Sequence, residues 1–165
     1  MSTKKLTLLS LFTTLSLAIY AAESAIPPLV PLPGIKLGLA NIITLILLKH
    51  FSRRDAVLVL TARIALSSLL FGQALSLLYS LAGGFFSLAV MALAMKLLNK
   101  RYVFLTGAMG GLAHNAAQLL TALAVTSTPG LLAYLPFLVL SGVITGLFTG
   151  LCAQFAGRYL IPHLP

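Results

Sequence analysis

Few residues in this chain could do chemistry, and the densest group is His114-Asn115-Ala116-Ala117-Gln118. His114 and Gln118 are four apart and Asn115 and Gln118 three apart, so a helix sets all three on one face. His114 lies twelve residues past Tyr102, about 18 Å along a helix rising 1.5 Å per residue. Polar side chains at that depth in an apolar helix turn into a bundle and bond something there. Two readings stand, contact with a ligand or hydrogen bonding between helices. An imidazole beside two amides supplies neither paired carboxylates for acid–base work nor a thiolate set for zinc. No catalytic residue, metal site or cofactor is therefore expected.

The second unusual stretch runs from Glu23 to Lys36, whose only charges are those two ends. Pro27, Pro28, Pro31 and Pro33, followed by Gly34, remove backbone donors and forbid regular helix. The stretch is nevertheless apolar, unlike a solvated loop. Irregular apolar backbone at membrane level is tolerated where protein or an aqueous cavity covers it. It reads either as a lid folded over a ligand pocket or as a rigid outer connector. Arg63 stands alone, eight residues past Asp55 and about 12 Å along its helix. Its stem is expected to reach back to the inner surface. Turned inward instead, it would suit an anion.

The elements that hold these residues are apolar runs. Of 165 residues, 59% are hydrophobic and only 8% charged, too few charges to coat a soluble domain. Spans are expected at about 6–22, 37–51, 56–71, 74–98, 103–125 and 131–157, in one transmembrane domain covering 1–165. Residues 56–98 must hold both the third and the fourth span. A turn at Phe71-Gly72-Gln73 is favoured, because one at Ala82-Gly83-Gly84 would leave a span of only about 15 residues. The two glycines then read as a kink or a close-packing point.

The formal net charge of +9 would suggest nucleic acid in a soluble chain, but here the cations cluster between apolar runs. Lys4 and Lys5, the 49–54 cluster, Lys96, Lys100, Arg101 and Arg158 alternate with loops that lack such clusters. By the positive-inside rule this gives six crossings with both termini cytoplasmic, in an all-α integral membrane bundle. Nucleic acid is excluded as a partner and lipid is implied. Lys4-Lys5, the apolar run after them and the small residues Ala21, Ala22 and Ser24 also imitate a secretory signal. They are read as the first span.

Two small-residue patterns concern packing. Gly142, Gly146 and Gly150 recur every fourth residue and allow close helix approach. Ala18 and Ala22 give a similar face on the first span, suited to internal packing or to a partner subunit. Cys152 is the only cysteine, so no internal disulfide forms. No Walker A loop is present, and Asp55 is the only Asp, so an Asp-rich magnesium–pyrophosphate motif is excluded.

Residues 23–41, 70–84 and 107–118 resemble a family of small bacterial membrane proteins labelled Gx transporters and also heptaprenyl diphosphate synthase component I. The resemblance covers about 7–157, and its most specific parts are the proline-rich stretch and His-Asn-x-x-Gln. That family resembles the substrate-binding S components of energy-coupling-factor transporters, which are six-helix proteins with an outer loop closing over the ligand. The resemblance implies a non-enzymatic subunit of the bacterial inner membrane, capturing a small, vitamin-like molecule for uptake; Lys36, and Arg63 if it turns inward, would suit an anionic one. A coupling subunit would meet Ala18 and Ala22, and a separate ATPase module would supply energy. The ligand would sit under lid residues Glu23, Pro27, Pro28, Pro31, Pro33 and Gly34. Around it are placed Lys36, Asn41, Arg63, Gln73, Tyr79, His114, Asn115 and Gln118. The family's second label implies an alternative, an accessory subunit in prenyl diphosphate, quinone or flavin-linked electron-transfer machinery.

Overall fold

The computed structural model describes residues 2–26, 36–71, 74–98 and 101–159. Among these the chain is all helical: α1 (Thr3–Ser24), α2 (Asn41–His50), α3 (Arg53–Phe71), α4 (Ala74–Leu97), α5 (Val103–Thr126) and α6 (Leu135–Tyr159). A 3-10 helix, Pro129–Tyr134, precedes α6. Thr3–Ser24, Ala74–Leu97 and Pro129–Tyr159 are long and apolar enough to cross a membrane. The outer surface is apolar, with Leu69, Leu97, Leu120 and Phe137 among its most exposed side chains, the reverse of a water-soluble arrangement.

Local chemistry sets several of the helix ends. Ser2 caps α1 by accepting the Lys5 amide at 3.3 Å. Ser52 and Asp55 form a reciprocal capping box at the start of α3. The Asp55 amide donates to Ser52 Oγ at 3.2 Å, and the Ser52 amide donates to Asp55 Oδ2 at 3.0 Å. The Asp55 carboxylate also meets Lys5 Nζ at 2.8 Å, tying the starts of α1 and α3 together. Ser127 closes α5 in the left-handed region at φ 50°.

α3 stops at Phe71 and α4 begins at Ala74, in agreement with the favoured turn. Gly83 and Gly84 lie inside α4, packed against His114 and Leu60, and so serve close packing. Within the second expected span, 37–51, the helix is shorter than the apolar run. α2 covers only Asn41–His50, and residues 36–40 reach it without helix. Ten residues make a helix of about 15 Å, half the apolar thickness of a bilayer. α2 is stable in that form because it is the hub of the bundle. It touches all five other α helices, and Ile43 through Leu48 are buried.

The tightest seam joins α5 to α6, which run antiparallel. A Cβ added to Gly111 would sit 2.1 Å from the Gly142 carbonyl oxygen, and one on Gly107 would sit 2.2 Å from that of Gly146. The small-residue pattern of α6 is thus met by a matching pair on α5, and the two backbones touch.

Candidate functional site

At the end of the bundle where α1, α3 and α5 finish, buried polar side chains gather instead of apolar ones. Tyr20, Glu23, Lys36, Gly38, Ala40, Asn41, Arg63, Ser80, His114 and Gln118 enclose one small cavity. The space among them holds roughly one water molecule, so the polar groups are packed close together.

The floor is α5. His114 and Gln118, one turn apart, are 4% and 1% exposed. The His114 ring is wedged between Gly83 and Gly38: a Cβ on either would lie 2.8 Å or 3.0 Å from it. Gly38 has φ +81°, which disfavours any side chain there as well. The Gly83 backbone lies within hydrogen-bonding reach of the ring, though neither ring nitrogen meets it in good alignment.

The descending segment 36–40 is fastened to three helices. The Lys36 amide donates to Gln118 Oε1 at 3.2 Å. Glu23 Oε1 accepts the Gly38 amide at 2.6 Å, and Oε2 the Leu39 amide at 3.0 Å. Thr145 Oγ1 of α6 donates to the Leu37 carbonyl at 3.4 Å. The carboxylate of Glu23 therefore works as a clasp for free backbone donors, the role a side chain fills at a helix cap.

The cationic side is built on Tyr20. Lys36 Nζ stands 3.2 Å from the centre of its ring and hydrogen-bonds Ser24 Oγ. Arg63 Cζ stands 5.4 Å from the same ring. The Tyr20 hydroxyl is bonded to Ser76 Oγ at 2.8 Å, which fixes the ring. Arg63 is 4% exposed and its Nε has no hydrogen-bond partner. The expectation that it reaches the inner surface is thus corrected. Arg63 is the eleventh residue of α3, about 15 Å in, deeper than its stem can span. Asn41 leans away from the cavity centre to donate to Ser87 Oγ at 3.2 Å, and Ser87 donates to the Gly110 carbonyl at 2.9 Å.

The structure therefore gathers Glu23, Lys36, Asn41, Arg63, His114 and Gln118, taken from distant parts of the chain. It leaves two others elsewhere. Asn115 turns to α6, donating to the Leu138 carbonyl at 2.8 Å and to Ser141 Oγ at 3.1 Å. Tyr79 packs in a separate apolar cluster with Leu119, Ala122, Leu131 and Leu138. Gln73, Pro27, Pro28, Pro31, Pro33 and Gly34 lie outside the described residues. Ala18 and Ala22 are exposed on α1 and lie outside this cavity. Sequence reasoning missed Tyr20, Gly38, Ala40 and Ser80. Tyr20 had a signal: it precedes Glu23 by three residues and shares its helix face.

No curated protein and no solved structure matches the chain. One family does: residues 12–156 carry its pattern, spanning both the cavity and the glycine seam. Over that length the chain belongs to the family described as heptaprenyl diphosphate synthase component I.

Proposed function

We propose that the protein is a membrane-embedded substrate-binding subunit for uptake of a small molecule, resembling the S components of energy-coupling-factor transporters. The observation that carries this reading is the buried polar cavity in an otherwise apolar bundle. Its lining comes from α1, the segment before α2, and α3 to α5, and Arg63 and His114 keep unpaired polar atoms there. Buried polar groups are normally bonded, and those in membranes mark substrate paths.

In this reading all six helices cross the bacterial inner membrane with both termini inside. The basic residues Lys4, Lys5, Lys49, Arg53, Arg54, Lys96, Arg101 and Arg158 then face the cytoplasm, and the cavity faces outward. α2 completes its crossing through residues 36–40, whose non-helical backbone is covered by protein. The tight cavity implies that solute enters when this segment lifts, which gives the 23–36 stretch the role of lid. The exposed Ala18 and Ala22 face of α1 is left for a coupling subunit, and a separate ATPase module supplies energy. The chain is not itself an enzyme.

The family's name points to prenyl diphosphate synthesis, chemistry that needs clustered carboxylates for magnesium. The single Asp in the chain, Asp55, is bonded to Lys5 and Ser52 at the far end from the cavity. A part in that synthesis would therefore be accessory, with the magnesium chemistry on another chain.

The test is native mass spectrometry of protein extracted in mild detergent. Wild type should retain a small molecule that His114→Ala and Gln118→Ala lose. Equal retention in all three removes the proposal. Co-purification of a prenyl transferase or redox protein, with no ATPase module, would favour the accessory role instead.

A further inference from the structure

We propose that the cavity takes a small molecule carrying one negative charge, seated against Arg63 and hydrogen-bonded by His114. This rests on the cavity being a ligand site and adds the charge class of its ligand.

Three observations converge on it. Arg63 is buried, yet the one ion pair among the described residues, Lys5 with Asp55, is at the other end of the bundle. Glu23, the only acid near the cavity, has both oxygens engaged by the Gly38 and Leu39 amides. Lys36 adds a second cation at the mouth, over Tyr20. One carboxylate against two cations, one of them the buried Arg63 and the other the half-buried Lys36, leaves an excess of one positive charge around the cavity. Such a charge is normally paired or neutralised.

The unpaired atoms say where the missing charge belongs. Arg63 Nε is a donor with no acceptor, and both nitrogens of His114 are without aligned partners. All three belong to side chains lining the same cavity. A carboxylate, or a phosphate monoester bearing one charge, offers acceptors to the guanidinium, which favours bidentate oxyanions. The same group gives an imidazole N–H an acceptor. A neutral sugar or amide would leave the excess charge as it was.

The experiment follows thermal unfolding of the full-length protein in mild detergent by circular dichroism. Probes are formate, acetate, benzoate and inorganic phosphate, with formamide, acetamide and benzamide as uncharged partners of the carboxylates, all in constant chloride. The expected result is a saturable rise in melting temperature with at least one anion and none with its amide. Arg63→Met should lose the rise. Lys36→Met should weaken the apparent affinity several-fold, whereas Arg158→Met, at the basic end, should not change it. Amides acting as well as acids would overturn the charge assignment while leaving a ligand site. So would a full response in Arg63→Met, or an unchanged affinity in Lys36→Met should the first variant not fold. No response to either probe set would remove both the charge class and the uptake reading.

Discussion

The two sides of α5 treat neighbouring polar residues in opposite ways. On one side Gly107, Gly111 and Asn115 face α6, where backbone meets backbone and the Asn115 amide nitrogen is bonded twice. On the other, His114 and Gln118 face the cavity, and the imidazole has no aligned partner. Adjacent positions thus do different work. The Asn115 amide nitrogen ties α5 to α6, although its Oδ1 has no partner, whereas the His114 imidazole lines the cavity. Burial does not separate the two, because both residues are buried; the side of α5 that each faces does.

The sharpest way to break this contrast is to disturb the seam. Gly111→Ala puts a methyl where the Gly142 carbonyl oxygen already stands, with only backbone to yield. The loss should be about 3 kcal/mol, seen as a large fall in melting temperature in detergent. A seam that tolerates alanine would mean that α5 and α6 are not in backbone contact.

A gentler comparison pits the two neighbours against each other. Asn115→Ala removes two interhelical bonds and should cost about 1 kcal/mol of stability while leaving ligand retention intact. His114→Leu, close in volume, should stay within about 1.5 kcal/mol of wild type yet lose retention. The reverse pattern would exchange the roles assigned to them.

The smallest effect belongs to the basic end. Burial pushes the Asp55 carboxyl up, but the hydrogen bonds from Lys5 and Ser52 outweigh it and hold the group below its ordinary value of 3.8. A group lowered in the folded state stabilises above its unfolded value and loses that contribution as pH falls through the folded one. Melting temperatures at pH 5 and pH 3 should therefore differ slightly less in Asp55→Asn than in wild type. The partly exposed Lys5 keeps the pair worth less than about 1 kcal/mol.

Much of the helix layout was legible because apolar run length and loop charge are strong, local signals. The end of α3 at Phe71 and the start of α4 at Ala74 followed from the minimum length of a span. The extent of α2 was not legible, since an apolar run reads the same whether lipid or protein surrounds it. In the cavity, the four-residue spacing of His114 and Gln118 held, being about 40° of helix rotation. Asn115 is about 100° from His114, near the edge of a helix face, and only the position of α6 decides its side. Arg63 was misjudged because sequence gives depth along a helix and not what faces it. The ring of Tyr20, from a helix forty residues away in the chain, supplied the inward partner. Tyr79 had depth and type in its favour, but its neighbours are apolar.

The hub position of α2 also bears on how the protein is made. A translocon that sorts emerging segments one by one retains them by their affinity for lipid, and ten residues offer little of it. Its interior place is closed off by α4, α5 and α6, all synthesised later. Biogenesis must therefore keep α2 waiting, beside α1 and α3, until the second half of the chain leaves the ribosome and encloses it.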